Sequence, residues 1–566
     1  MGYLFYCCHF AIRNVEGQSI FRAVRFPLSH LPTLLLVIGY PIYWLELYVF
    51  RAGHGKTTPL AWIIFGVFAL IVFSRNYPLL VAGLRNFRKW FLQESLLIKL
   101  LLIFMGIAGG VILLCVFYAS LLPPHLCQEF DSLNYHITLP RQHLLRNSFS
   151  HIAWSTADLY FLPIDFALAT FWLATSLPNK LPQFFFALGL LGLCGHLAWR
   201  FSGGKVWPSV LVAWAILGSH GIGIQLGTAM LDITICYLFL AAFDSFLSGA
   251  IWLAAIELSF YIWSKPLIPV QFFVTLVIFG SAWLFLWVWG IRKNIWAASS
   301  EKIKELVGDT RCAFTKGIGL FLIVSLLVAG PFIFKSLRYS GTPIFPLGVG
   351  IFRKSSIPQS PERWVELKLK ATQVLSLRDQ YGSGRNLLEF ARHFWLVSVP
   401  EKGVNNRYDY PLGLMYLLFL GPFLVSFISS LRQKTLPLLS LWVVISWGIW
   451  WLGSQQARFL YVPLILMYLI VVLSIRVPSR VLLGVMLGAI LFVSVSVYRA
   501  NKQDLGRWGE VVLRQQDKEL VQLGKFKQSA EVVTLPFYDV AYATFPVDVV
   551  DNDSVFVLKT VFGKDK

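Results

Sequence analysis

Apolar residues in this chain come in long runs parted by short polar turns, and those runs set the expected architecture. A helix needs about 20 mostly apolar residues to cross the hydrocarbon of a bilayer. Runs of that kind lie near 28–50, 59–75, 97–121, 183–201, 206–223, 231–248, 250–264, 268–290, 316–335, 411–430, 436–453, 459–475 and 481–498. They predict an all-α polytopic membrane protein of about 13 transmembrane helices. The runs 206–223, 231–248 and 250–264 are short and follow one another closely. A further apolar stretch, 160–178, is broken by Pro163 and Asp165 and reads as a helix that lies at the surface or is re-entrant. Beyond Arg499 the pattern changes. Residues 503–523 are polar with helical spacing, and Glu531–Leu535 and Ser554–Leu558 read as short strands, a small mixed α/β extension.

Composition and charge sharpen this picture. Of the 566 residues 57% are hydrophobic and only 14% charged, against about 45–50% and about 25% in ordinary soluble domains. The 47 Phe, 21 Trp and 21 Tyr suit a bundle with aromatic belts at both interfaces. The net charge of +20 is scattered through the turns, with no basic stripe and no nucleic-acid-binding motif, which argues against a nucleic-acid partner. Short loops rich in Lys and Arg stay cytoplasmic. Residues 75–99 and 292–316 are such loops, as are the turns holding Arg200 with Lys205, Arg432 with Lys434, and Arg476 with Arg480. All five fall on one side of a thirteen-span chain whose N-terminus is inside. The loops 122–182 and 336–410, the turn at Asp232 and the tail 499–566 then lie outside.

The chain so divides into 1–96, an N-terminal cytoplasmic segment with two extra helices; 97–498, a transmembrane core; and 499–566, a small non-cytoplasmic domain. Arg13, Arg22 and Arg25 precede a span too long for a cleavable signal, so the first helix is expected to remain as an anchor. The seven cysteines form no CxxC pair and most sit in apolar runs, which favours neither disulfides nor zinc.

Candidate chemistry lies in the few polar residues next to spans, where a charge is cheaper than at the bilayer centre. Asp131 follows a span, with Tyr135, His136 and Arg141 close behind it. It is either a helix cap or a base for an acceptor hydroxyl. Asp232, in Met230-Leu231-Asp232-Ile233-Thr234, is either a snorkelling or capping residue or an acid with a partner or a job at the outer end of a span. Asp244 and Glu257 read as structural partners near an inner turn. Lys265, Lys335, Arg338 and Arg458 are cations at span ends, able to snorkel or to face an anionic head group.

The order of these features resembles the polytopic GT-C glycosyltransferases over roughly residues 97–500. The likeness rests on Asp131…Tyr135-His136…Pro140, Asp232, Lys265, Gly341-Thr342-Pro343-Ile344-Phe345-Pro346 and Gln456-Ala457-Arg458-Phe459…Pro463. Within that superfamily the chain is most similar to bacterial members related to protein mannosyltransferases and the lipid A aminoarabinose transferase. The adjacent acidic pair common there is missing, since Phe130 separates Glu129 from Asp131. The resemblance implies transfer of a sugar from a polyprenyl-phosphate donor to a lipid, glycan or protein acceptor, with inversion, on the outer face of a bacterial inner membrane. It implies Asp131 as general base, Asp232 as a second catalytic carboxylate that orients the sugar or acceptor or holds a divalent metal, and Tyr135, His136, Arg141, Lys265, Lys335, Arg338 and Arg458 around the substrate. A divalent cation, Mg or Mn, would sit on Asp131 and Asp232. A transporter or flippase, or a polysaccharide polymerase or ligase, fits the same spans and interfacial charges.

Overall fold

A computed structural model describes residues 27–50, 57–121, 131, 135–152, 155–172, 179–265, 268–288 and 300–349. It further describes 369, 372, 381–399, 408–432, 438–475, 478–505 and three strands between 533 and 560. The segment 503–523 lies outside the described residues beyond Leu505, as do Glu129 and Phe130.

The described core is helical. In chain order it comprises α1 (Thr33–Leu45), α2 (Thr58–Gln93), α3 (Leu96–Leu121), α4 (Thr138–Arg146) and α5 (Pro163–Trp172). Next come α6 (Leu181–Phe201), α7 (Val206–Leu217), α8 (His220–Gln225), α9 (Asp232–Leu247), α10 (Ile251–Ile262) and α11 (Ile268–Val288). Then follow α12 (Ser300–Ser340), α13 (Leu387–Leu396), α14 (Leu414–Arg432), α15 (Leu438–Leu452), α16 (Tyr461–Ser474) and α17 (Arg480–Leu505). Among the described residues seven segments are long and apolar enough to cross a membrane: Leu28–Phe50, Thr58–Gln93, Leu96–Leu121, Leu181–Phe201, Gly317–Ser340, Ala457–Ser474 and Arg480–Arg499. Four shorter apolar helices, Val206–Leu217, Ile251–Ile262, Leu414–Ser429 and Leu439–Leu452, pack among them. These helices mark a membrane-embedded protein.

Helix extends into two of the expected loops. At about 1.5 Å per residue the 36 residues of α2 extend on the order of 54 Å, nearly twice a hydrocarbon thickness of about 30 Å. The helix runs straight through Arg75, Arg85, Arg88 and Lys89, whose exposed side chains decorate its overhang. In the same way α12 runs from Ser300 to Ser340, so Lys335 and Arg338 ride its last turns.

The stretch expected at the surface also differs. Pro163 does not break a helix; it starts α5, with Asp165 in the first turn, and both are start signals. All ten residues of α5 are buried within the protein. The helix packs on α1 at Gly39, where a Cβ would lie 2.1 Å from the carbonyl oxygen of Ala167. Only glycine permits that approach, and the Thr170 hydroxyl seals it by donating to the Gly39 carbonyl at 3.0 Å.

Around this pair α9 and α10 form a hairpin, α10 packs on α12, α6 on α7 and α9, and α17 on α3. Near the C-terminus three antiparallel strands pair in the order β1 (Val533–Pro536), β3 (Val555–Thr560), β2 (Val547–Asn552). β1 and β3 overlap the expected strands in part, and Val547–Asn552 is an addition.

Candidate active site

Asp232 opens α9, where a carboxylate is favoured by the helix dipole, but its side chain caps nothing. Its Oδ1 instead accepts a 2.7 Å hydrogen bond from Lys265 Nζ, just beyond the end of α10. Its Oδ2 is buried with no hydrogen-bond partner among the described residues. The capping reading of Asp232 therefore fails.

Arg458 lies in a short 3-10 turn, Ala457–Leu460, that leads into α16. It donates from Nη1 to Asp131 Oδ2 at 2.7 Å, joining residues 327 apart in sequence. Its Nε lies 3.0 Å from Asp409 Oδ2, an ion pair whose N–H is not aimed well enough for a hydrogen bond. Burial would push the Asp131 carboxyl up, but Arg458 and then His136 outweigh it and hold the pKa below the usual carboxylate range. Asp409 is pushed the other way, above that range, because burial outweighs Arg458.

Asp409 is a functional candidate that the sequence reading missed. It adopts φ 72°, a left-handed conformation uncommon for a residue with a Cβ. Its loop is pinned to the Arg458 turn by the Ala457 amide, which donates to the Tyr408 carbonyl at 2.7 Å. Gln456 Nε2 reaches Asp409 Oδ2 at 3.4 Å. The available signal was a third acid, in Tyr408-Asp409-Tyr410-Pro411, directly ahead of a span.

Next to these groups His136 Nδ1 lies 2.7 Å from Asp165 Oδ1, both side chains buried. His136 Nε2 and Asp165 Oδ2 have no partner among the described residues. A buried polar atom left unpaired costs about 1–3 kcal/mol. The Tyr135 ring is 4.2 Å from the His136 ring, and Arg141 is buried in α4. Burial pushes the Arg141 guanidinium down to about 10. Asp165, taken from sequence only as an interruption, is the second acid missed.

Lys335 and Arg338 are not brought to this site. Lys335 Nζ donates to Asp158 Oδ1 at 2.8 Å and lies 3.9 Å from the centre of the Phe149 ring. Asp158 also pairs with His143 Nε2 at 2.6 Å, His151 Nδ1 at 3.0 Å and the Ile152 amide at 2.8 Å. Both Asp158 oxygens are thereby occupied, and the cluster ties α12 to the segment after α4. Arg338 is exposed beside Tyr339.

A narrow cleft between α9, α11, α15 and α16 reaches the charged groups. Phe272, Trp442, Ile235 and Val462 give it apolar walls, and Asp232 with Arg458 supplies its charge. Among the described residues no group of three or more His, Cys, Asp or Glu side chains is placed to hold a metal ion. No protein-family model, no curated protein and no solved structure matches this chain.

Proposed function

We propose that this protein is a membrane glycosyltransferase of the GT-C kind, moving a sugar from a polyprenyl phosphate to a hydroxyl on a lipid, glycan or protein acceptor. The observation that carries this reading is the joining of Asp131, Asp232 and Asp409 to Arg458 and Lys265 at an apolar cleft. A prenyl chain suits walls of Phe272 and Trp442, and its phosphate suits an arginine, whose planar fork binds phosphate with two parallel hydrogen bonds.

In the reaction the acceptor oxygen attacks the anomeric carbon while the bond from that carbon to the phosphate oxygen breaks. The electron pair leaves with the phosphate, and the anomeric configuration inverts. Charge growing on the leaving group is met by Arg458 and Lys265, whose positions are fixed in advance by Asp131 and Asp232. The hydroxyl proton passes to a base in the same space, for which Asp131 and His136 are the candidates.

Three carboxylates stand against two cations here. That excess, with the free Oδ2 of Asp232, suits a divalent ion such as Mg or Mn. Such ions use one or two carboxylates together with phosphate oxygens. Asp131 and Asp232 would hold it, and it would supply further charge to the leaving phosphate.

The thirteen-span topology, N-terminus inside, places these groups on the non-cytoplasmic side of a bacterial inner membrane, with residues 499–566 outside. The five basic turns support it. The test is transfer in reconstituted vesicles from radiolabelled polyprenyl-phosphate mannose and polyprenyl-phosphate aminoarabinose. Label should enter an acceptor fraction, and Arg458→Lys should raise the donor KM at an unchanged acceptor KM. Translocation of donor without transfer, or growth of a polymer, would replace this reading with a flippase or a polymerase.

A further inference from the structure

Two buried histidines among the described residues, His143 and His30, use both ring nitrogens. His143 pairs with the Ser148 carbonyl and with Asp158; His30 pairs with Glu257 and Asp244. His136 does not. With Asp165 ionised, its Oδ1 accepts from Nδ1 at 2.7 Å, which is the tautomer whose Nε2 carries a lone pair, buried and unmatched among the described residues. His393 also leaves Nε2 unmatched, but Phe394, Trp447, Trp450 and Trp451 surround it and no carboxylate orients it.

The charges facing the dyad are those of the candidate site. His136 acts electrostatically on Asp131, Lys265 acts on Asp165, and Tyr135 stands against the imidazole. A carboxylate that orients one imidazole nitrogen and leaves the other free is the arrangement of a general base. Asp131 is less suited to that task. Arg458 already occupies one of its oxygens and lowers its basicity.

Resting on the glycosyl-transfer reading, we propose that His136 takes the proton of the attacking hydroxyl, with Asp165 as its positioning residue, and that Asp131 serves to hold Arg458. The hydroxyl O–H bond breaks as its oxygen bonds the anomeric carbon. The proton moves to Nε2, giving an imidazolium that Asp165 stabilises, and the electron pair of the broken sugar–phosphate bond leaves on the phosphate. The imidazolium then returns its proton to water.

The test is the pH dependence of transfer by the full-length protein in vesicles, with the same two radiolabelled donors. His136→Asn should lower kcat by about 10²–10⁴-fold at an unchanged donor KM, and the acid limb of the wild-type profile should vanish. Asp165→Asn should keep part of the activity and move the acid limb to lower pH, because the imidazolium loses its counter-charge. Asp131→Asn should keep the limb and raise the donor KM. If wild type transfers but His136→Asn keeps full kcat and its acid limb, the His136 assignment alone is overturned. If wild type uses neither donor, the glycosyl-transfer reading falls and takes His136 with it. Should His136→Asn fail to fold, Asp165→Asn decides: an unmoved limb overturns the assignment.

Discussion

Helices α9 and α10 carry two buried charged clusters, and the difference between them separates scaffold from chemistry. Asp232 and Asp244 stand on α9 twelve residues apart, about 18 Å along the axis. At the Asp244 end His30 bridges Asp244 and Glu257 at 3.0 and 2.8 Å. Glu257 also accepts from the hydroxyls of Thr33 and Ser245, each at 2.7 Å, and Arg200 closes the cluster on Asp244 at 3.0 Å. Every carboxylate oxygen and both His30 nitrogens there have a partner. At the Asp232 end, Asp232 Oδ2, His136 Nε2, Asp165 Oδ2 and the hydroxyl of Tyr461 have none among the described residues. Buried charge with complete pairing locks α1, α6, α9 and α10 together; buried charge with gaps leaves polar atoms with which a ligand could pair.

The largest effect should follow from opening the complete cluster. Glu257→Ala removes an acceptor from His30, Thr33 and Ser245 at once. Breaking one partner of a buried pair costs about 3–5 kcal/mol, a large share of a total of about 5–15 kcal/mol. The detergent-purified variant should aggregate or melt far earlier than wild type. Glu257→Gln, which keeps the shape and one acceptor, should recover much of the loss. A Glu257→Ala protein as stable as wild type would erase the distinction between the clusters.

At the other end the signature should reverse. Asp232→Asn keeps an acceptor for Lys265 but removes the charge that fixes it. Transfer should fall by about 10² or more, within the 10²–10³ typical of losing one preorganised electrostatic group, while the melting temperature moves little. Loss of stability with retained turnover would mean that Asp232 belongs with Asp244 as scaffold.

A smaller effect concerns acid. Arg458 holds Asp131 ionised to lower pH than in the unfolded chain, where an aspartate titrates near about 3.9. The stability drawn from this ion pair is thus fully present above about pH 4 and lost only as pH falls through the depressed value. Between pH 5 and 8 Asp131→Asn should shift the melting temperature by a constant amount. A shift that grows across that window would show Asp131 titrating there, and would restore it as the group that gains a proton near neutrality.

How much of this was legible in the chain depended on distance. Each apolar run could be read as a helix because its signal is local and periodic, and Asp131, Asp232, Lys265 and Arg458 stood out as charges at run ends. Pairing was not legible. Nothing in the sequence distinguishes Lys265, which reaches Asp232, from Lys335, which turns inward to Asp158 from the last turns of α12. Both are single lysines near the end of an apolar stretch. Asp165 was hidden for another reason. A proline and an acid inside an apolar stretch read as an interruption, and only the burial of α5 shows them to be its first turn. Polar overhangs misled similarly, because α2 and α12 continue as helix well past their apolar segments.

The smallest expected effect belongs to Arg338, which sequence reading grouped with Arg458. Both are arginines at span ends, and a snorkelling role suits either. Arg458 is mostly buried and faces Asp131 and Asp409. Arg338 is exposed on the last turn of α12 and lies over the Tyr339 ring, 5.6 Å from its centre. Exposed substitutions away from caps, cores and networks usually change stability by no more than about 0.5 kcal/mol. Arg338→Ala should therefore leave both the melting temperature and the donor KM at wild-type values, in the same vesicle assay in which Arg458→Lys raises the donor KM. A raised donor KM in Arg338→Ala would extend the donor site to the end of α12 and move the boundary between the two kinds of charge drawn here.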